Sequence, residues 1–177
     1  MRNAQPAQTS SSAERQAEFR HLMGRFTTGV CVVSVEAGDL GVAAMTVNSF
    51  VSVSLDPMLV SWSLHNSSSQ FDLFARAERF AVSILADSHA ELALRYASRG
   101  DSQLNADDFI SRDTGTHRTL PVVAGALAQF ECRRWSEYPA GDHTVIFGEV
   151  EGMSASTLAE PGVPLAFFNG QFCSIDA

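Results

Sequence analysis

Apolar positions along the chain recur with two different periods, and the switches between them divide it into elements. Between Ser11 and Phe26 the period is helical. Phe19, Leu22, Met23 and Phe26 fall at i, i+3, i+4 and i+7, and Ser11 and Glu14 have capping-box spacing. Thr27, Thr28 and Gly29 are read as its end. Val30 to Val35 is a continuous, largely β-branched run, the signature of a strand buried on both faces. Glu36 to Gly41 reads as a turn, and Val42 to Leu64 as strands with short breaks. Within that stretch Val51, Val53 and Leu55 alternate with Phe50, Ser52 and Ser54, which predicts a half-buried strand. Asp56-Pro57 breaks it, since proline withdraws a ladder donor.

Downstream, a short helix is expected from about Ser69 to Ala77, capped by Ser67-Ser68-Ser69. Phe80 to Leu85 reads as a strand. Ser88 and Glu91 suggest another capping box, opening a helix to about Ser98. Gly100 to Arg118 is polar and patternless, so it reads as a long loop. Ala126 to Arg133 alternates and is expected to pair with Asp142 to Gly152 through a turn at Tyr138 to Gly141. Leu165 to Phe168 is the last predicted strand. Residues 1–13 are read as a polar tail and 14–177 as one domain. Many short strands without βαβ alternation predict a mainly β fold, a closed antiparallel barrel with flanking helices. The absence of GxGxxG argues against a Rossmann-type nucleotide site.

Composition narrows the function classes. The 177-residue chain carries 20 acidic and 12 basic residues, a formal charge of −8, without the basic footprint a nucleic-acid partner needs. Every basic residue is arginine. That excludes Schiff-base lysines, lysine nucleophiles and phosphate loops ending in Gly-Lys. No apolar run has membrane-spanning length, and the N-terminal stretch lacks an apolar core, so neither a membrane anchor nor a secretory signal is expected and a cytoplasmic protein is. Cys31, Cys132 and Cys173 are odd in number and far apart, which argues against a disulfide framework or zinc knuckle. The five histidines show no metal-binding spacing, so no metal is expected.

Three segments could carry chemistry. Ala44-Met45-Thr46-Val47-Asn48-Ser49-Phe50 mixes hydrogen-bonding and apolar side chains at a strand end, as a flat heteroaromatic ring requires; a polar strand exit into solvent fits the same residues. His65-Asn66-Ser67-Ser68-Ser69-Gln70 precedes a helix, where N–H groups and hydroxyls suit a phosphate; ordinary N-capping is the alternative, but it needs one serine rather than three. Gly141-Asp142-His143 opens a strand, and a lone histidine there is more often structural than catalytic.

These segments stand in an ordered series. Phe26-Thr27-Thr28-Gly29-Val30 is followed by Thr46 to Pro57, Phe80 to Leu85, Gly125 to Cys132, Gly141-Asp142-His143 and Pro164 to Gly170. The series resembles the short-chain flavin reductase family over roughly residues 19–172. The resemblance implies a split β-barrel of the FMN-binding type, antiparallel and usually homodimeric. It also implies reduction of FMN or FAD by NADH or NADPH, with reduced flavin passing to a flavin-dependent monooxygenase. Carried over by position, Val42, Ala43, Ala44, Met45, Thr46, Asn48 and Ser49 would line the isoalloxazine and ribityl chain. Ser63, Leu64, His65, Ser69 and Gln70 would hold the ribityl phosphate, with Arg95 and Tyr96 nearby. His143, with Phe168, Asn169, Gly170 and Gln171, would face the nicotinamide. Pro57-Met58 and the phenylalanines at 168 and 172 depart from the family pattern. The rival readings are an oxidase of the same barrel type with bound flavin, a flavin- or haem-carrying module without turnover, and an interaction domain that merely uses the barrel.

Overall fold

A computed structural model describes residues 11–38, 41–97, 106–112, 120–156 and 162–175. Helix α1 spans Ser12–Met23 and opens with the expected capping box, Ser11 and Glu14 each accepting the other's backbone N–H. Its start leaves only part of the expected tail outside the helix. It ends earlier than expected, at Gly24, whose N–H donates to the Arg20 carbonyl. Thr28–Gly29 instead form strand β1.

The strands that follow are β2 (Cys31–Glu36), β3 (Val42–Val47), β4 (Val51–Leu55) and β5 (Met58–His65). Helix α2 (Phe71–Arg76), β6 (Arg79–Ile84) and α3 (Ala90–Ala97) come next. Strands β7 (Phe109–Arg112), β8 (Leu120–Val123), β9 (Ala128–Ala140), β10 (His143–Ala155), β11 (Leu165–Phe168) and β12 (Gln171–Ser174) complete the described fold. All strand pairings among the described residues are antiparallel.

Seven strands form the main sheet in the order β3-β2-β6-β9-β10-β5-β4. The barrel is split rather than closed: β3 and β4 are its two edges. Yet β3 and β4 are consecutive in sequence, so Asn48-Ser49-Phe50 crosses from one edge to the other. The four steps from Val47 to Val51 reach at most about 14 Å, which obliges the sheet to curl until its edges nearly meet. Inside the curl lies a core of Val33, Val35, Val60, Trp62, Leu64, Phe74, Phe80, Val82, Cys132 and Ile146, each contributing roughly 1.5–3 kcal/mol where a large side chain is fully buried. Burial pushes the thiols of Cys31 and Cys132 up to about 12. A second core (Val30, Val32, Ala44, Leu85, Leu92, Tyr96, Leu165) seats α3 and the β1-β11-β12 sheet on the outer side of β2 and β3. The β7-β8 hairpin is tied to the same side, the Ser83 hydroxyl accepting from the Val123 N–H at 3.0 Å and Gln129 donating to the Val123 carbonyl at 2.8 Å.

Several expectations need correction. The apolar stripe of α1 is not buried: Phe19 is 65 % and Phe26 68 % exposed. Val51, Val53 and Leu55 are likewise exposed, because β4 is an edge strand with no layer over that face within the described chain. The serine run does not cap α2. Gln70 occupies the N-cap position without a side-chain cap, and Ser68 Oγ accepts from its N–H. Ser88 and Glu91 form no capping box; a 3-10 turn at Asp87–His89 precedes α3, with His89 Nδ1 accepting from the Ala86 N–H. The expected loop over 100–118 contains a 3-10 turn and β7, and its remaining residues lie outside the described ones. The β9-β10 turn is only Gly141-Asp142, so both strands run longer than alternation suggested.

Candidate functional site

The site lies at the barrel seam. The end of β3, the Asn48-Ser49 crossing, the end of β5 and the start of β10 converge there, with the loop before α2 and the end of α3 as flanks. Together they enclose a groove of about 540 Å³. Its lining is Met45, Thr46, Val47, Asn48, Ser49, Ser63, His65, Ser67, Ser68, Ser69, Gln70, Tyr96, Ala97 and His143. Six hydroxyl-bearing Ser and Thr, two carboxamides and two imidazoles face a few apolar side chains, and no arginine or carboxylate is among these residues.

Internal bonds decide what each hydroxyl can offer a ligand. Thr46 Oγ1 donates to the Ala93 carbonyl at 2.8 Å, so it ties β3 to α3 and its proton is spent. Ser49 Oγ accepts from the Ser63 N–H at 2.9 Å, and Ser68 Oγ from the Gln70 N–H at 3.3 Å. Both therefore keep a hydroxyl hydrogen to donate. Gln70 Oε1 is buried and has no hydrogen-bond partner. A buried acceptor left unpaired destabilises a fold by about 1–3 kcal/mol, so this oxygen is suited to a ligand N–H.

At the other end His65 and His143 are cross-strand neighbours on β5 and β10, their rings edge-to-face with centroids 4.7 Å apart. His143 Nδ1 lies 2.7 Å from Asp142 Oδ1, and His65 Nε2 lies 3.9 Å from Asp142 Oδ2. The hydrogen bond from His143 holds the Asp142 carboxyl below its usual range. Asn66 locks this corner: its N–H donates to the Asp142 carbonyl at 2.9 Å, and its Oδ1 accepts from Thr144 Oγ1 at 2.9 Å.

Ten expected site residues are thus brought together: Met45, Thr46, Asn48, Ser49, Ser63, His65, Ser69, Gln70, Tyr96 and His143. The others lie elsewhere. Ala43, Ala44 and Leu64 alternate away into the cores, and Val42 starts β3 at its far end. Arg95 pairs with Asp108, which also accepts from the Tyr96 hydroxyl at 2.8 Å. Phe168 and Gln171 are exposed beside the Asn169-Gly170 turn, whose φ values of 50° and 80° make a tight hairpin. Phe167 and Phe172 face inward instead and wall a hollow of about 180 Å³ that shares Thr46, Val47, Asn48 and Ala97 with the groove. Val47, Ser67 and Ser68 lie within the expected segments though not among the residues carried over by position, and Ala97 lies outside both. The Asn-Gly pair, a strong hairpin signal, could have revealed β12 and turned attention from Phe168 to its neighbours.

An antiparallel sheet curled into a split barrel, with a groove of hydroxyls, carboxamides and imidazoles at its open seam, defines the class of protein. The chain belongs to the flavin reductase family: residues 23–176 match the flavin reductase like domain. Among curated relatives, the NADH-dependent FMN reductase SmoA of Agrobacterium fabrum is 43 % identical over 159 residues, 90 % of this chain and 86 % of the relative. The NADH-dependent flavin reductase StyB of Pseudomonas fluorescens is 34 % identical, covering 87 % and 86 %. A solved structure of the NADH:FAD oxidoreductase SgcE6 of Streptomyces globisporus, in complex with NAD and FAD fragments, superimposes with a TM-score of 0.80 at 30 % identity, covering 95 % of this chain and 97 % of that one.

Proposed function

We propose that the protein is an NADH-dependent flavin reductase that binds FMN or FAD in the seam groove and releases it reduced to a partner monooxygenase. The observation that carries this reading is the groove itself. It offers apolar surface at Met45 and Val47, a hydroxyl donor at Ser49, and an unpaired acceptor at Gln70 Oε1. That set suits the edge of an isoalloxazine ring, which carries both carbonyl oxygens and a ring N–H. When bound, the flavin supplies an electron-poor N5 that accepts a hydride from C4 of the reduced nicotinamide. The chain contributes position and exclusion of water rather than a nucleophile. Asn48, Ser49 and Gln70 hold the ring edge, Ser68 and Ser69 the phosphate end, and His143 the nicotinamide.

Among the described residues the groove is lined by hydroxyls, carboxamides and two imidazoles rather than arginine, so a phosphate there is held by these groups. The relatives named for NADH favour that donor. The exposed apolar residues of α1 and β4 support a homodimer, and the free cysteines support residence in the reducing cytoplasm.

A steady-state assay crossing both nicotinamides with both flavins tests the reading. NADH consumption is expected only when free flavin is added to a nearly colourless protein. A stoichiometric yellow chromophore without NADH consumption would instead establish a carrier.

A further inference from the structure

Asp142 is 79 % exposed at its side chain, yet its two oxygens sit between two imidazoles that belong to different strands. His143 holds one oxygen by a hydrogen bond, and Asn66 ties the Asp142 backbone. The surroundings of the other oxygen begin at Ser67. Its backbone N–H, which can only donate, points at His65 Nδ1 from 3.1 Å, and its hydroxyl lies 2.9 Å from the same nitrogen. In the neutral ring Nδ1 must then be the acceptor, and the proton resides on Nε2. That nitrogen lies 3.9 Å from Asp142 Oδ2, an ion-pair distance rather than a hydrogen bond. The carboxylate's other oxygen accepts from His143 Nδ1, which leaves Nε2 as the His143 nitrogen open to a ligand.

We infer that His65 is a positioning residue for His143: held by Ser67, it steadies Asp142 and thereby sets which nitrogen of His143 meets the ligand. The inference rests on the reading that His143 serves the nicotinamide, and it adds the device that orients it. The order is Ser67 to His65 to Asp142 to His143, running from the loop before α2 across β5 to the tip of the β9-β10 hairpin. The edge-to-face packing of the two rings, centroids 4.7 Å apart, also restricts rotation of the His143 ring. Direct orienting partners of metal-bound histidines typically matter by about 10–100-fold when removed, and the low end of that range is expected for a residue that acts through Asp142.

The experiment compares His65→Phe, His65→Gln and His143→Ala with the unaltered protein. Phenylalanine keeps a ring but neither nitrogen; glutamine returns a donor near the Nε2 position. The ring ¹⁵N shifts of His143, followed across a pH titration of the flavin-free protein, report its tautomer without any turnover. Steady-state kinetics with NADH and FMN report the two KM values separately. In His65→Phe, His143 is expected to lose its fixed Nδ1–H tautomer, and the NADH KM to rise about tenfold. His65→Gln should recover most of both effects. An unchanged His143 tautomer in His65→Phe overturns the inference, whatever the kinetics. A tautomer that shifts while His143→Ala leaves the NADH KM unaltered sustains the positioning role and overturns the assignment of His143 to the nicotinamide.

Discussion

Gln70 concentrates the tension between stability and binding in a single side chain. Its Oε1 is buried at the groove wall without a partner, a state that disfavours the folded protein until a ligand N–H arrives. Replacing it by leucine removes the unpaired acceptor at similar volume. Gln70→Leu should therefore leave the thermal midpoint equal or raise it, by about 1 kcal/mol of stability at most. The same change should weaken FMN binding about tenfold, the value of one hydrogen bond to an otherwise unpaired group, as read by fluorescence titration. A variant that loses stability and keeps its affinity would show that the oxygen has a structural partner. The residue type and its place before a helix were readable in the sequence; the missing partner was not, because it depends on how β3, β5 and the loop before α2 close around the side chain.

At the scale of elements, periodicity identified the strands and helices well and their solvent sides poorly. The i, i+3, i+4, i+7 stripe of α1 and the alternation of β4 are both real, but each faces outward. A local pattern records that a face is apolar, while the long-range arrangement decides what covers it. Hairpin lengths were misjudged for a related reason. The β9-β10 ladder absorbs two register shifts, between Phe147 and Gly148 and between Val150 and Gly152, so simple alternation loses track of it. Gly148 marks the first of these and lies tightly against its neighbours. A Cβ there would stand 2.4 Å from Phe80 Cζ and 2.9 Å from Cys132 Cβ, both in the core around Trp62. Gly148→Ala is expected to destabilise the fold by about 1–3 kcal/mol, the range for overpacking a well-filled core. Denaturant unfolding would measure it, and a neutral result would mean that Phe80 can turn aside freely.

For the whole molecule, the fold explains why the site sits where it does. A seven-stranded sheet curled by a three-residue crossing brings its edges together without joining them, and the hydroxyls and amides of that seam become the groove. The same split leaves β4 uncovered among the described residues, with Leu55 86 % exposed and Val51, Val53 and Met58 beside it. An apolar patch of that kind on an edge strand calls for a second surface. Sedimentation should give twice the 19.1 kDa chain mass. Leu55→Arg should shift the population toward one chain; a monomeric unaltered protein would remove the dimer from the account. Order and spacing of the sequence blocks made the family legible. They did not show that Ala43, Ala44 and Leu64 face the cores or that Arg95 is paired with Asp108.

The central claim is direct passage of a hydride from nicotinamide to flavin at the seam groove. Anaerobic stopped-flow mixing of the protein and FMN with NADH tests it most directly. The flavin band and the reduced-nicotinamide band should fall together, mole for mole, at a rate that saturates with NADH. Bleaching no faster than in the absence of protein, or nicotinamide oxidation with the flavin band unchanged, would contradict it.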